Sequence, residues 1–171
     1  MKRRDLLKTV MAGAAVNLRA QSPAAAWKPV LFDAHQNETV IALTDLIIPA
    51  TDTPGAKAAL VNRFLDLLLS ESPAGQQGRF LQGLAWLDAY ARRTHGAPFV
   101  KCTRAQQTAL LETLDPDGKP PADLRPGVRF FQEIKRRTSS AYYASKVGVD
   151  ELNKSGRVPA SYGCSHPGHS V

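Results

Sequence analysis

The sequence predicts an all-α protein: a single compact domain of four to six helices with an irregular C-terminal tail rich in glycine and proline. Three observations predict this fold class. Apolar residues recur at helical spacing in five segments. Caps, prolines and glycines mark the segment boundaries, and no segment alternates apolar and polar residues as a strand does. About 145 residues remain once an N-terminal leader is set aside, which is enough for one core.

The first helix is predicted over residues 33–48, where apolar side chains recur at helical spacing. Asp33 and Gln36 have the spacing of a capping box at its start. Pro49 ends it, because proline cannot continue the backbone hydrogen bonding of a helix. Residues 50–55 are predicted to form an ordered turn, since they combine proline and glycine with aspartate and threonine.

The second helix is predicted over residues 56–70 and the third over residues 76–93. The second is apolar over more than half its circumference, which predicts a central position in the fold. The apolar residues that give this pattern are Leu60, Val61, Phe64, Leu65, Leu67, Leu68 and Leu69. The third helix has a narrower stripe, formed by Phe80, Leu84, Leu87 and Ala91.

The C-terminal half begins with a second capping box, Thr103 with Gln106, which opens a short helix. Four prolines and a glycine predict a loop over residues 115–126. The last long helix is predicted over residues 128–144. After Gly156 the chain is rich in glycine, proline and serine, so we expect an irregular tail.

The charge distribution argues against nucleic-acid binding. The formal net charge is +7, but residues 1–26 hold five basic residues and one acidic residue, which leaves +3 for the rest. The remaining basic cluster, residues 135–137, lies within a helical pattern and has no interleaved exposed aromatics. A nucleic-acid-binding surface needs a concentrated basic face, so no nucleic-acid partner is expected.

The N-terminus has the features of an export signal. Arg3 and Arg4 form a twin-arginine pair, followed by a mildly apolar stretch of about ten residues, 9–18. That stretch is too short to span a bilayer, which takes about twenty residues. We therefore predict a twin-arginine signal peptide over residues 1–26, read by the twin-arginine translocase, and a helical domain over residues 27–171. The alternative is a basic helix that stays on the protein.

The two cysteines and the tail histidines leave two interpretations open. Cys102 and Cys164 are natural disulfide partners in an oxidising compartment, although either could remain a free thiol. Cys164, His166 and His169 are alternatively three metal ligands within six residues, which would make the chain an independent exported metal-binding protein. A fourth ligand is not close to them, and we predict the disulfide rather than the metal site.

The residues that could carry catalysis do not form a recognisable set. Asp45, Asp52 and the pair Asp150-Glu151 lack the spacing of an acid–base pair. No glycine-rich motif for a dinucleotide or a nucleoside triphosphate is present in the sequence. We therefore predict no catalytic residues and no cofactor bound by this chain.

Four stretches of the sequence together carry a resemblance to a known family. They are the twin-arginine leader, residues 46–56 (LIIPATDTPGA), residues 130–143 with their two aromatic pairs, and residues 148–152 followed by the Gly163-Cys164-x-His166 tail. In these stretches the chain resembles the gluconate 2-dehydrogenase subunit 3 family, and the resemblance spans nearly its whole length.

The resemblance implies an accessory role in a dehydrogenase complex. Members are described as the small subunit of a heterotrimer with a large flavoprotein of the glucose-methanol-choline type and a multihaem cytochrome c. FAD and haem c would then lie in those partner subunits, and this chain would help the flavoprotein mature and pass through the export pore. The implied location is the periplasm, at the inner membrane through the complex.

The resemblance also suggests where the flavoprotein binds. We expect contacts from the turn after the first helix and from the aromatic residues of the last long helix, because adjacent helical residues point about 100° apart and these aromatics are too many for one buried stripe. The alternative is that the tail covers them. The residues expected to bind the partner are Pro49, Asp52, Pro54, Phe130, Phe131, Tyr142 and Tyr143.

Overall fold

The computed structural model describes residues 27–154, and within that range it contains only helices and loops. The prediction of an all-α domain is confirmed. The α-helices are α1 (Ala34–Ile47), α2 (Val61–Ser70), α3 (Ala74–His95), α4 (Arg104–Thr113), α5 (Arg125–Ala144) and α6 (Lys146–Lys154), with a short 3-10 helix at Phe99–Lys101. Over the same range, no helix is both long enough and apolar enough to cross a membrane.

Both predicted capping boxes are present. At the start of α1, the Gln36 amide donates to Asp33 Oδ1 over 2.7 Å, and the Asp33 amide donates to Gln36 Oε1 over 3.0 Å. At the start of α4, Thr103 and Gln106 make the same reciprocal pair. Each box satisfies backbone donors that a helix leaves unpaired at its first turn, and this is why both helices begin where the sequence predicts.

The core is organised around α5, which packs against α1, α2, α3 and α6. Phe80 of α3 is fully buried and lies between two other rings. Its centroid is 5.8 Å from that of Phe32 in a stacked arrangement and 5.4 Å from that of Phe130 in an edge-to-face arrangement. The predicted buried stripe of the third helix is confirmed over all four residues.

The crossing of α3 and α5 depends on two glycines, one on each helix. A Cβ atom added at Gly83 would lie 2.1 Å from Cδ2 of Phe130, and one added at Gly127 would lie 2.0 Å from Cζ3 of Trp86. Each helix therefore places an aromatic ring against the glycine of the other. The two backbones approach more closely than side chains would otherwise permit.

Two helices begin three or more residues from their predicted starts, and one helix was not predicted. Residues 56–60 form turns rather than helix, and Leu60 adopts the left-handed conformation (φ 54°) immediately before α2. Helix α5 begins at Arg125, inside the predicted loop. The unpredicted α6 begins after Ser145, whose hydroxyl accepts the Gly148 amide over 3.1 Å as a cap.

The predicted central position of the second helix is wrong. Val61, Leu65 and Leu69 are buried on one face of α2, but its opposite face points to solvent. That exposed face is called the α2 apolar face below. It consists of Leu60, Phe64, Leu67 and Leu68, whose exposed fractions lie between 42% and 57%.

Candidate partner-binding surface

The loop after α1 is rigid and tightly folded. The Ala56 amide donates to the Ile48 carbonyl over 2.8 Å, and the Thr51 amide donates to the Thr53 carbonyl over 3.0 Å. A Cβ atom at Gly55 would lie 2.5 Å from the backbone nitrogen of Ala50, which no side-chain movement could relieve. Only glycine fits there, so the ordered turn predicted from the sequence has a steric requirement behind it.

A buried tyrosine fastens this loop to the end of α5. The Tyr142 hydroxyl donates to the Pro54 carbonyl over 2.6 Å, although 88 residues separate the two. Tyr142 is only 3% exposed. Burial raises the pKa of its phenol, and the negative charge of Glu151 adds to the effect. The neutral hydroxyl is the donor, so these surroundings favour the protonation state that holds the loop.

Tyr143 lies beside this junction and is 50% exposed. Its ring meets Tyr142 edge to face, with centroids 5.3 Å apart. Phe130, Phe131 and Tyr142 are instead buried within this chain. Predicted partner contacts at these four aromatics stay predictions, and Tyr143 is the one whose ring is well exposed.

Asp52 lies at the exposed tip of the loop. The Thr51 hydroxyl donates to its Oδ1 over 2.8 Å, and this hydrogen bond is the main cause that lowers the pKa of the carboxyl. A weaker contribution comes from the positive charge of Lys154, at the end of α6. Lys154 itself pairs with Glu151 over 2.6 Å, which raises the pKa of its amine. Opposite charges thus border the loop.

The loop and Tyr143 together form one candidate docking surface, called the loop–Tyr143 surface below. It comprises residues 49–55 and the exposed ring of Tyr143. An exposed aromatic ring such as that of Tyr143 is a frequent anchor of protein interfaces. The sequence resemblance predicts partner contacts at both parts, and the structure shows that Tyr142 joins them.

A second feature fixes the segment that precedes α1. One carboxylate of α2, Asp66, accepts three backbone amides, from Val30 (2.6 Å), Leu31 (3.0 Å) and Phe32 (2.8 Å). Asp66 is almost fully buried. Sequence reasoning missed it, although an acidic residue on the buried face of a leucine-rich helix is a signal, because such a group must find donors.

The same segment reaches the exposed side of α2 at its first described residue. The Arg63 guanidinium lies over the Trp27 ring, 5.0 Å from its centroid. Such a cation–π contact stabilises the ring at this position. The segment is thus held to α2 by Arg63 at its N-terminal end and by Asp66 further along.

The carboxylate of Asp88, on α3, also holds parts of the fold together. It accepts the Phe99 amide over 2.9 Å and contacts Nε2 of His35. These contacts link α1, α3 and the 3-10 helix. His35 is half-exposed and paired with Asp88. Asp88 and His35 thus connect three elements of the fold.

The remaining predicted site residues lie partly outside residues 27–154. Cys102 is buried, with its sulfur 3.7 Å and 3.6 Å from the carbonyl oxygens of Ala97 and Pro98. Burial, and next the charge of Asp88, raise the pKa of its thiol. Its predicted disulfide stays a prediction, because the partner is outside the described residues. Also outside them are Arg3, Arg4, Cys164, His166 and His169.

The described residues therefore define a small helical domain with two notable exposed surfaces, the loop–Tyr143 surface and the α2 apolar face. Among them no cluster of three or more histidine, cysteine, aspartate or glutamate side chains is arranged to hold a metal ion.

Comparison with protein families identifies the class more closely. The family model described as gluconate 2-dehydrogenase subunit 3 matches residues 34–156, most of the chain. The chain belongs to this family, as its sequence resemblance predicted. No curated protein and no solved structure matches it.

Proposed function

We propose that this chain is the non-catalytic small subunit of a periplasmic, membrane-associated FAD-dependent dehydrogenase complex. In this role it assists maturation of a catalytic flavoprotein of the glucose-methanol-choline type and carries it through the twin-arginine translocase. FAD lies in that large subunit, and haem c lies in a multihaem cytochrome c subunit. The observation that carries the proposal is the family match over residues 34–156.

The loop–Tyr143 surface supports this role as the place where the flavoprotein binds. Its loop is held by backbone hydrogen bonds and by the Tyr142–Pro54 contact, so little conformational entropy is lost when a partner covers it. Tyr143 presents half of its ring, and aromatic side chains are frequent anchors of protein interfaces.

The non-catalytic role is supported by what the buried carboxylates do. Asp66 accepts three backbone amides, and Asp88 accepts one amide and contacts His35. A catalytic acid or base needs access to a substrate proton, and both groups are occupied in holding the fold.

The test is co-expression of this chain with a candidate flavoprotein from the same genome, followed by affinity capture from the periplasm and a dye-linked dehydrogenase assay. We expect a stoichiometric FAD-containing partner, whose export fails when Arg3-Arg4 is replaced by Lys-Lys. If this chain reaches the periplasm alone and captures no flavoprotein, the proposal fails and the metal-binding tail becomes the leading interpretation.

The docking surface is tested in the same experiment by Tyr143→Ala. Loss of an exposed aromatic anchor is expected to cost about 2 kcal/mol of binding, roughly a thirtyfold weaker complex. Tyr90→Ala is the matched control, because it removes the same residue type from α3, where Tyr90 stacks on Trp86. Equal capture by both variants would exclude Tyr143 from the interface.

A further inference from the structure

The α2 apolar face has the properties of a binding surface that the described chain leaves uncovered. We propose that it binds the apolar stretch of the leader, residues 9–18 of the same chain, for as long as the leader is attached. The argument rests on the composition of the face, on the point where the described chain begins, and on the reach of the residues that precede it.

The face is a continuous stripe of large apolar side chains. Within α2, Phe64 precedes Leu67 by three residues and Leu68 by four, and Leu60 is the residue immediately before the helix. Residues at these spacings are neighbours on a helix surface. All four side chains are more than 40% exposed, although the helix buries Val61, Leu65 and Leu69 on its other side. Contiguous exposed apolar residues of this size mark a binding surface.

The described chain begins at the edge of this stripe. Going backwards from Phe32, the backbone is held by Asp66 and then arrives at Trp27, whose ring lies against Arg63. Arg63 precedes Leu67 by four residues, so the two are neighbours on α2. The chain thus passes around α2 from its buried side towards the α2 apolar face, and Trp27, its first described residue, lies beside that face.

The leader is long enough to cover the whole stripe. Eight residues separate Leu18 from Trp27, and they span up to about 28 Å when extended. Helix α2, with ten residues, is about 15 Å long. No point on the α2 apolar face is therefore out of reach of residues 9–18.

The leader also has the right chemistry. Its apolar stretch contains Val10, Met11, Val16 and Leu18 and no charged residue, whereas the basic residues lie on either side of it. The stretch is too short to span a bilayer, so it gains by burial against protein. The C-terminal tail is a poorer occupant, because it leaves from the end of α6 and its apolar residues are scattered.

Photo-crosslinking of the purified, full-length, unprocessed chain tests the contact directly. A benzophenone side chain in place of Leu67 is expected to crosslink within one chain to peptides from residues 9–18. The same group in place of Val149, which is 40% exposed on α6, is the matched control and is not expected to reach them. Crosslinks between two copies, or none to the leader, would overturn the proposal.

Limited proteolysis supplies an independent readout. Leu67→Asp places a charge in the stripe at its most exposed position, where the fold is little affected. We expect the substitution to remove about half of the free energy that burial of one leucine contributes to leader binding. The leader is then unbound more often, and its cleavage is expected to be about fivefold faster. Val149→Asp is expected to leave the rate unchanged. Identical rates in Leu67→Asp and in the unaltered chain would contradict leader binding.

Neither experiment contains a flavoprotein, so their outcome is separate from that of the proposed function. Failure of the co-expression test would leave the intramolecular contact standing. If both leader measurements fail in a chain that still captures its flavoprotein, the leader does not occupy the α2 apolar face. That face would then be a candidate site for a partner subunit.

Discussion

The carboxylate of Asp66 joins α2 to the segment before α1. Its contact with the Val30 amide links residues 36 positions apart in the sequence. A buried carboxylate that accepts three amides stabilises the fold because each hydrogen bond involves an ionised acceptor. It also determines where the segment before α1 lies. One side chain thus contributes both to stability and to the position of this N-terminal segment.

Replacement of Asp66 by alanine is expected to lower the free energy of unfolding by about 3 kcal/mol, because three buried or half-buried amides lose their acceptor. Denaturant unfolding measures the loss, and faster hydrogen exchange at Val30 to Phe32 reports where it occurs. Asp150→Ala, at an exposed ion pair with Lys146, is the control and should change stability by less than about 0.5 kcal/mol. A loss at Asp66 no greater than in the control would refute this role.

Local contacts could be read from the sequence, whereas distant ones could not. The capping residues Asp33 and Gln36 lie three positions apart, so their pairing follows from spacing alone. His35 meets Asp88 across 53 positions, and Tyr142 meets Pro54 across 88. Those contacts depend on how the helices pack, which periodicity does not specify.

At the level of helices, α3 and α5 are held in register by exchanged glycine–aromatic contacts. Gly83 receives the ring of Phe130, and Gly127 receives that of Trp86. In each helix the glycine precedes the aromatic residue by three positions, so both lie on the same face. The two contacts fix both the distance between these two long helices and their relative position along the helix axes.

Gly83→Ala is therefore expected to lower the free energy of unfolding by about 2 kcal/mol, because the added methyl group forces Phe130 or the helix axis to move. Gly78→Ala is the matched control on the same helix, because nothing lies within 4 Å of its added Cβ. It should stabilise the protein by about 0.5–1 kcal/mol through helix propensity. Thermal unfolding of both variants compares them, and shifts in the same direction would contradict the packing argument.

The sequence predicted which five segments form helices, but it predicted less well which of their faces are buried. The many leucines of α2 indicated a helix correctly, but composition does not reveal that the other described residues leave one of its faces exposed. Helix α6 was missed because Gly148 and Asp150 are poor helix formers. Gly148 is required there by packing, since a Cβ atom would lie 2.1 Å from the carbonyl oxygen of Tyr142.

For the molecule as a whole, two buried weak acids predict a loss of stability in alkaline solution. Burial raises the pKa of Cys102 above its ordinary 9.0 and that of Tyr142 above its ordinary 10.0. The unfolded chain therefore releases these protons at lower pH than the folded protein. Stability is fully present below those ordinary values and falls as the pH rises through the folded ones.

Denaturant unfolding at several values between about pH 8 and pH 11 measures this fall. Tyr142→Phe removes one of the two groups, so its stability should decline less steeply with pH. The free energy of unfolding of Tyr142→Phe should also be about 1 kcal/mol lower at the lowest pH measured, because the hydrogen bond to Pro54 is lost. Tyr143→Phe is the control, and an equally shallow decline in that variant would contradict the assignment to Tyr142.

The fastening of Trp27 also bears on how a processing peptidase would remove the leader. Proteases need a locally extended backbone, and chain segments fixed against a folded body resist cleavage. Ala26 adjoins Trp27, which Arg63 holds, whereas six residues lie between Ala20 and Trp27. Ala20 and Ala26 each supply the small residue that a signal peptidase needs, and a bond after Ala20 is six residues further from the Arg63–Trp27 contact. We therefore expect that, if the predicted signal peptide is removed, the contact favours the earlier of these two sites.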